Sequence, residues 1–262
     1  MRSELLSLLS WTSLLISTPA LADSGLLKPR ADGVKPIGIQ LDQVPQIDAQ
    51  LEPGAEYASY SAIIEYDPDI IRPMCGLSDE ELHNLVWHAY NEMEQVRRLH
   101  QAKAGNAMGA LVHGQRIYFA SAISSNWPDD KIAMVGQNFD DDTNVSWYMQ
   151  LCLLDSSETV SIHKSGGKCA EPNVIRLFHE AGNRGRPGEN RFLVVEPTDA
   201  RGGMSRVITP CQGVTKPKVK QGCETTFMRE YRLNPVRKNV GKELDPTRQF
   251  EFTQVTNPRP AQ

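Results

Sequence analysis
Leu82, Leu85, Val86, Ala89, Tyr90, Met93, Val96 and Leu99 recur at spacings of three and four residues. That is one continuous apolar stripe along a helix, with polar positions on its other face. Ser78-Asp79-Glu80-Glu81 stands just ahead of it as a capping box, S-x-x-E, so the pattern predicts a helix over 79–103. Gly105 and Gly109 are read as its end, and Trp87, off the stripe, as a contact with the insertion below. Two β-rich runs, 110–112 and 116–121, flank His113-Gly114-Gln115 and read as a hairpin. A second helix is expected over 170–181, with Val174, Ile175 and Phe178 on one face. Arg191-Phe192-Leu193-Val194-Val195 has the apolar run of a buried strand, and 206–209 reads as another. Residues 227–233 suit a short helix, and the alternation over 249–255 a last strand.

The remaining stretches carry less pattern. Residues 23–72 are rich in Pro, Gly and Asp and read as a mostly irregular lead-in, with a short strand at 60–66. Residues 124–165 hold Asp140-Asp141-Asp142 and a strand candidate at 145–154, and are read as an insertion. The Pro-rich end, 257–262, is expected to fray. The expected organisation is a leader over 1–22, an irregular segment over 23–75, and one α/β domain over 76–256 with a mixed central sheet flanked by helices.

Composition narrows the class. The chain has 262 residues, 40% hydrophobic and 23% charged, which is ordinary for a globular protein and excludes wholesale disorder, collagen and coiled coil. Beyond the first two dozen residues, no apolar run reaches the roughly 20 residues a bilayer requires. In that first stretch Arg2 precedes an apolar run from Leu5 to Ile16, and Ala20-Leu21-Ala22 closes it. This is the pattern of a secretory signal cut after Ala22, so the mature chain is expected to be extracellular or periplasmic, where cysteines can pair. The net charge of -4 excludes a chain that is basic throughout, yet it hides a dipole. From Ala31 to Val160, 20 Asp/Glu stand against 7 Lys/Arg; from Arg201 to Lys242, 10 Lys/Arg stand against 2 Asp/Glu. The basic stretch can attract an anionic substrate, or the two halves can fold together and neutralise each other.

The five cysteines carry the candidate chemistry: Cys75, Cys152, Cys169, Cys211 and Cys223. In one partition, pairing leaves an odd thiol over. In the other, Cys75 and Cys152 form a disulfide, while Cys169, Cys211 and Cys223, each at an element end, converge on Zn²⁺. Three thiolates leave the fourth zinc position open, which is the catalytic arrangement. Bound zinc brings the water pKa to about 7, so hydroxide exists at neutral pH. Glu171, two residues after Cys169, is placed to move the proton of that water without binding the metal. Its bland alternative is a first-turn acid that complements the helix dipole.

Here the chain resembles the zinc-dependent cytidine deaminase-like superfamily, whose pattern is H-x-E…P-C-x-x-C with Cys₃ variants. Cys169-Ala170-Glu171 stands for the first half and Pro210-Cys211, with Cys223, for the second. Gly167-Lys168-Cys169-Ala170-Glu171-Pro172 looks most like the secreted, toxin-type branch. The expected element order also follows the family core: helix, two strands, a helix carrying x-A-E, a strand, then P-C. The likeness covers about residues 78–233, with three departures, one being that little follows Leu233 for the family's later strands and helices, so the sheet is truncated or completed by 249–255. C-x-x-C is opened to Cys211-x₁₁-Cys223, and 47 residues separate Ser121 from Cys169.

The resemblance implies an α/β/α sandwich and a hydrolase that deaminates a nucleobase, either free or in a single strand drawn to the basic segment 201–242. It also places Asn126, just past the second hairpin strand, where related enzymes contact substrate; otherwise Asn126 is a turn residue before Trp127-Pro128. Two rival readings stay open. One is a disulfide-stabilised secreted binding or effector protein on a deaminase-like scaffold, with Cys169 or Cys211 oxidised. The other is a thiol hydrolase pairing Cys169 with His163 or His179. Both histidines are expected at the surface or half-buried, and His179 lies too far along its helix to share the Glu171 site.

Overall fold
The computed structural model describes residues 35–42, 59–66, 77–100, 105–123, 169–184, 190–198, 205–210, 232–236 and 252–258. These form β1 (Gln40–Leu41), β2 (Tyr60–Tyr66), α1 (Asp79–His100), β3 (Met108–His113), β4 (Arg116–Ser121), α2 (Ala170–Glu180), β5 (Arg191–Pro197), β6 (Ser205–Val207), β7 (Asn234–Pro235) and β8 (Phe252–Val255). The fold is α/β. All eight strands join one open sheet of order β1-β2-β4-β3-β5-β6, with β8 on β2 and β7 on β5. The β5–β7 pairing is parallel and every other pairing is antiparallel, so the sheet is mixed.

Strand periodicity divides the core. Ala62, Ile64, Ala110, Val112, Ile117, Phe119, Leu193 and Val195 point to one face and pack with the stripe of α1. Ile63, Leu111, Tyr118, Ala120, Phe192 and Val194 point to the other and pack with α2. One described helix therefore covers each face.

The capping box forms as read. Ser78 N–H donates to Glu81 Oε2 at 2.8 Å, and Glu81 N–H donates to Ser78 Oγ at 3.1 Å. Every stripe residue from Leu82 to Val96 is buried, but Leu99 is 69% exposed, so the cover ends one turn early. Trp87 stacks on Tyr90 within the same helix, ring centroids 5.0 Å apart.

The hairpin is longer than the sequence suggested. Gly109, read as a helix terminator, lies inside β3, paired with Ala120 and Val194. The 227–233 helix is corrected at its end: Arg232 has φ 53° and Leu233 leads into β7. Of the last strand, 252–255 is described as expected. The insertion 124–165 lies outside the described residues.

The lead-in is less irregular than its composition implies. β2, at the bounds expected, is buried along nearly its whole length between β4 on one side and β1 with β8 on the other. Residues 37–39 are fastened to α1 by one carboxylate. Glu92 accepts Ile37 N–H at 2.8 Å, Gly38 N–H at 2.7 Å and Ile39 N–H at 2.7 Å. Gly38 makes this possible with φ 88°, which turns consecutive N–H groups toward one oxygen pair. The Gln254 side chain closes over Gly38 and donates to Pro36 O at 2.9 Å. Burial pushes the Glu92 carboxyl above the usual carboxylate range, and the three N–H donors pull it back only in part.

A carboxyl raised in this way keeps its proton to higher pH in the folded chain. Its contribution to stability is full below the unfolded range and is lost as pH rises through the folded value. Glu92→Ala strands three N–H groups and is expected to cost about 3 kcal/mol in urea unfolding, at roughly 1 kcal/mol each. Glu92→Gln keeps one acceptor oxygen. It is expected to cost less and to lose the acidic-range pH dependence of the wild type.

Candidate functional site
The face of the sheet under α2 changes character along the strands. One row across it reads Ile63, Tyr118, Leu111, Phe192, all large and apolar. Two residues along each strand, the row reads Ser61, Ala120, Gly109, Val194. Beyond that, Ala122 N–H donates to Ala107 O at 2.8 Å and Gly105 N–H to Ala122 O at 3.2 Å, so small residues continue. The first turn of α2 lies over this small end. A Cβ on Gly109 would stand 3.1 Å from both Ala170 Cβ and Val174 Cγ2. A side chain there would be tighter against the helix start than most contacts allow, so the first turn would have to give by a few tenths of an ångström.

Cys169 is the N-cap of α2, with φ -63° and ψ 156°, and its sulfur makes no capping hydrogen bond. Ser, Thr, Asp or Asn is the usual choice at this position, so the sequence departs from local preference here. Glu171 follows in the first turn and is 4% exposed. A carboxylate is rarely taken this far from water, and the helix N-terminus is where a negative charge is best tolerated. Asn173 is also buried and donates from Nδ2 to Ser121 O at 2.8 Å. Ser121 Oγ accepts Tyr60 N–H at 3.0 Å and donates to Ala122 O at 2.9 Å.

The polar contacts continue toward the sheet edge. Asp42, wholly buried, accepts Ser59 Oγ at 2.8 Å and Ser61 Oγ at 2.5 Å, and Asn257 Nδ2 donates to Ser61 Oγ at 2.8 Å. This buried network ties β1, β2 and the segment after β8 together beside the small-residue end.

At the other end of α2 sits His179. It is 8% exposed, deeper than the surface or half-buried position expected for it. Its Nδ1 lies 3.1 Å from Asn183 O, an acceptor only, so Nδ1 carries the proton. Burial lowers its pKa, and the Asn183 carbonyl opposes that shift. Eight residues of helix, about 12 Å, separate it from Glu171, as the sequence implied.

The structure thus brings Cys169 and Glu171 to one helix end. Cys75, Asn126, Cys152, His163, Cys211 and Cys223 lie outside the described residues. The chain on the way to Cys211 is described: Ile208 N–H donates to Val194 O at 3.0 Å, Ile208 packs on the α2 side, and Pro210 is buried. Among the described residues, no three His, Cys, Asp or Glu side chains gather as a metal site. In the basic segment, Arg206 is paired with Glu196 through a 2.6 Å Nε bond. Asn173, Ser121 and Glu92 had no motif to mark them. The departure at the N-cap and the glycine in β3 were the available signals.

No family model, curated protein or solved structure matches this chain. The deaminase likeness therefore rests on the residues and their arrangement alone.

Replacing Gly109 by Ala is expected to push the first turn of α2 outward by a few tenths of an ångström. The change is expected to cost about 1–3 kcal/mol in denaturant unfolding, the usual range for an overpacked core. Ala120→Gly, one strand over, opens space instead and should leave the helix start in place. Amide chemical shifts over 170–174 distinguish the two.

Proposed function
We propose that the protein is a secreted, zinc-dependent hydrolase that deaminates a nucleobase, built as the α/β/α sandwich of the cytidine deaminase-like superfamily. The observation that carries this reading is the buried Glu171 carboxyl in the first turn of α2, two residues after the N-cap Cys169. The order α1, β3, β4, α2, β5 supports it, as does the placement of β3 between its hairpin partner β4 and β5. The parallel β7 on the far edge of β5 fits a crossover through the Cys211–Cys223 stretch.

Cys169, Cys211 and Cys223 suit zinc in kind, being three thiols, and Cys169 stands at a helix start where the dipole favours its thiolate. Zinc bound there supplies hydroxide at neutral pH for attack on the amine-bearing carbon of a cytosine- or adenine-type ring. Glu171 would take a proton from water and pass it to a ring nitrogen, then take the proton of the newly added hydroxyl and pass it to the amine, which leaves as ammonia as the carbonyl forms. Its burial serves that role, because a carboxyl out of water exchanges protons with the group placed against it. Basic residues of 201–242 attract the phosphates of a nucleotide or single strand.

The mature chain, screened against aminated nucleosides and single-stranded DNA and RNA, is expected to release ammonia from one class. Glu171→Gln is expected to fold normally and lose about 10²–10⁴-fold in rate. A folded Glu171→Gln variant with the wild-type rate would overturn the mechanism. A chain with Cys169 and Cys211 joined in disulfides and no deamination would move the reading to a disulfide-stabilised binding protein.

A further inference from the structure
We propose that Asn173 is the positioning residue of this site, fixing the first turn of α2 so that Glu171 and Cys169 hold their places. The inference rests on the deaminase reading and assigns a role that the C-A-E pattern does not contain.

The geometry comes from the helix repeat. Ala170, Asn173 and Val174 share the side of α2 that faces the sheet, since residues three and four apart lie on one face. Ala170 and Val174 meet Gly109 of β3, which fixes how near the turn lies to the sheet. Apolar contact of this kind leaves the turn able to slide along the strand. The Asn173 bond to Ser121 O removes that freedom, because a 2.8 Å hydrogen bond has a direction as well as a length. Both partners are buried, with Asn173 3% exposed and Ser121 wholly covered, so water does not readily take either role.

Ser121 is a firm anchor. It ends β4 opposite Met108, and its hydroxyl is held by Tyr60 N–H and Ala122 O. The helix start is therefore referred to β2, β3 and β4 at once. An asparagine inside a first turn otherwise competes for the helix's own backbone groups, and here its amide is turned outward to the strand. Glu171 lies two residues before Asn173 and Cys169 four before it. Any shift of the turn carries both, and a displacement near 1 Å costs about 10²-fold where reacting groups must be aligned.

The test uses Asn173→Asp and Asn173→Leu in the full mature chain. Asp keeps the shape but sets an oxygen against the Ser121 carbonyl. Leu keeps the approximate size and has no donor. Hydrogen exchange of the Val174–Phe178 amides, of which 174–177 bond back to the first turn, is expected to quicken about tenfold in both, with β3 and β4 unchanged. In the same samples kcat per folded molecule is expected to fall at least tenfold, while KM stays within about twofold and bound zinc is retained.

Unchanged exchange over 174–178 would overturn the proposal. Faster exchange with kcat per folded molecule unchanged would also overturn it, since Asn173 would then be structural only. A wild-type chain that neither holds zinc nor deaminates any base would sink the underlying reading, and this inference with it. That failure shows in the wild type, before any variant is compared.

Discussion
The close approach of α2 to β3 at Gly109 is the constraint on which the rest of the site depends. A helix start can stand this near a sheet only over residues without bulk, and the row through Ser61, Ala120 and Gly109 provides them. Large rings and branched chains fill the same face two residues further along, so α2 is wedged at its far end by Phe178, Tyr118 and Leu111. The result is a helix supported by apolar packing at its C-terminal end and by small residues and the Asn173–Ser121 hydrogen bond at its N-terminal end. Cys169 and Glu171 sit at the second of these.

The other face of the sheet serves a different purpose. α1 lays its stripe over β2 through β5 and carries Glu92, which draws residues 37–39 against the helix. Lys35 and Gln254 add bonds between this segment and β8. The two short strands from distant parts of the chain, β1 and β8, thereby share one edge of β2. An edge built from short pieces, capped by buried polar contacts, offers little for another chain to pair with. The Asp42, Ser59 and Ser61 network secures the same edge on the α2 side. Both faces thus use one buried carboxylate to pin the segment ahead of β2.

What could be read from the sequence follows from where the information is local. The α1 stripe and its capping box are periodic and adjacent, so the helix start was legible to the residue. β2 and β4 were legible because apolar β-formers are bounded by turn residues. Gly109 was misread because a glycine after a helix usually ends it, and only the distant Ala170 and Val174 explain why it stands inside a strand. The 37–39 segment was read as irregular because Pro36 and Gly38 signal a loop, while its partner, Glu92, is more than fifty residues away. His179 was expected near the surface because its helix looked one-sided, yet α2 is covered almost all round. Of the site, the placement of Cys169 and Glu171 at a helix start was legible from Gly166-Gly167 before it and the apolar spacing after it. Asn173 was not, because its role exists only once β4 lies beside the helix.

The proposed chemistry requires that Cys169, Cys211 and Cys223 share one zinc ion beside Glu171. Elemental mass spectrometry of the mature chain, purified without chelator, addresses it most directly. About one zinc per chain is expected, lost in Cys169→Ser, in Cys211→Ser and in Cys223→Ser, and retained in Glu171→Gln. A folded chain with no zinc, or with zinc that survives all three cysteine substitutions, would contradict it.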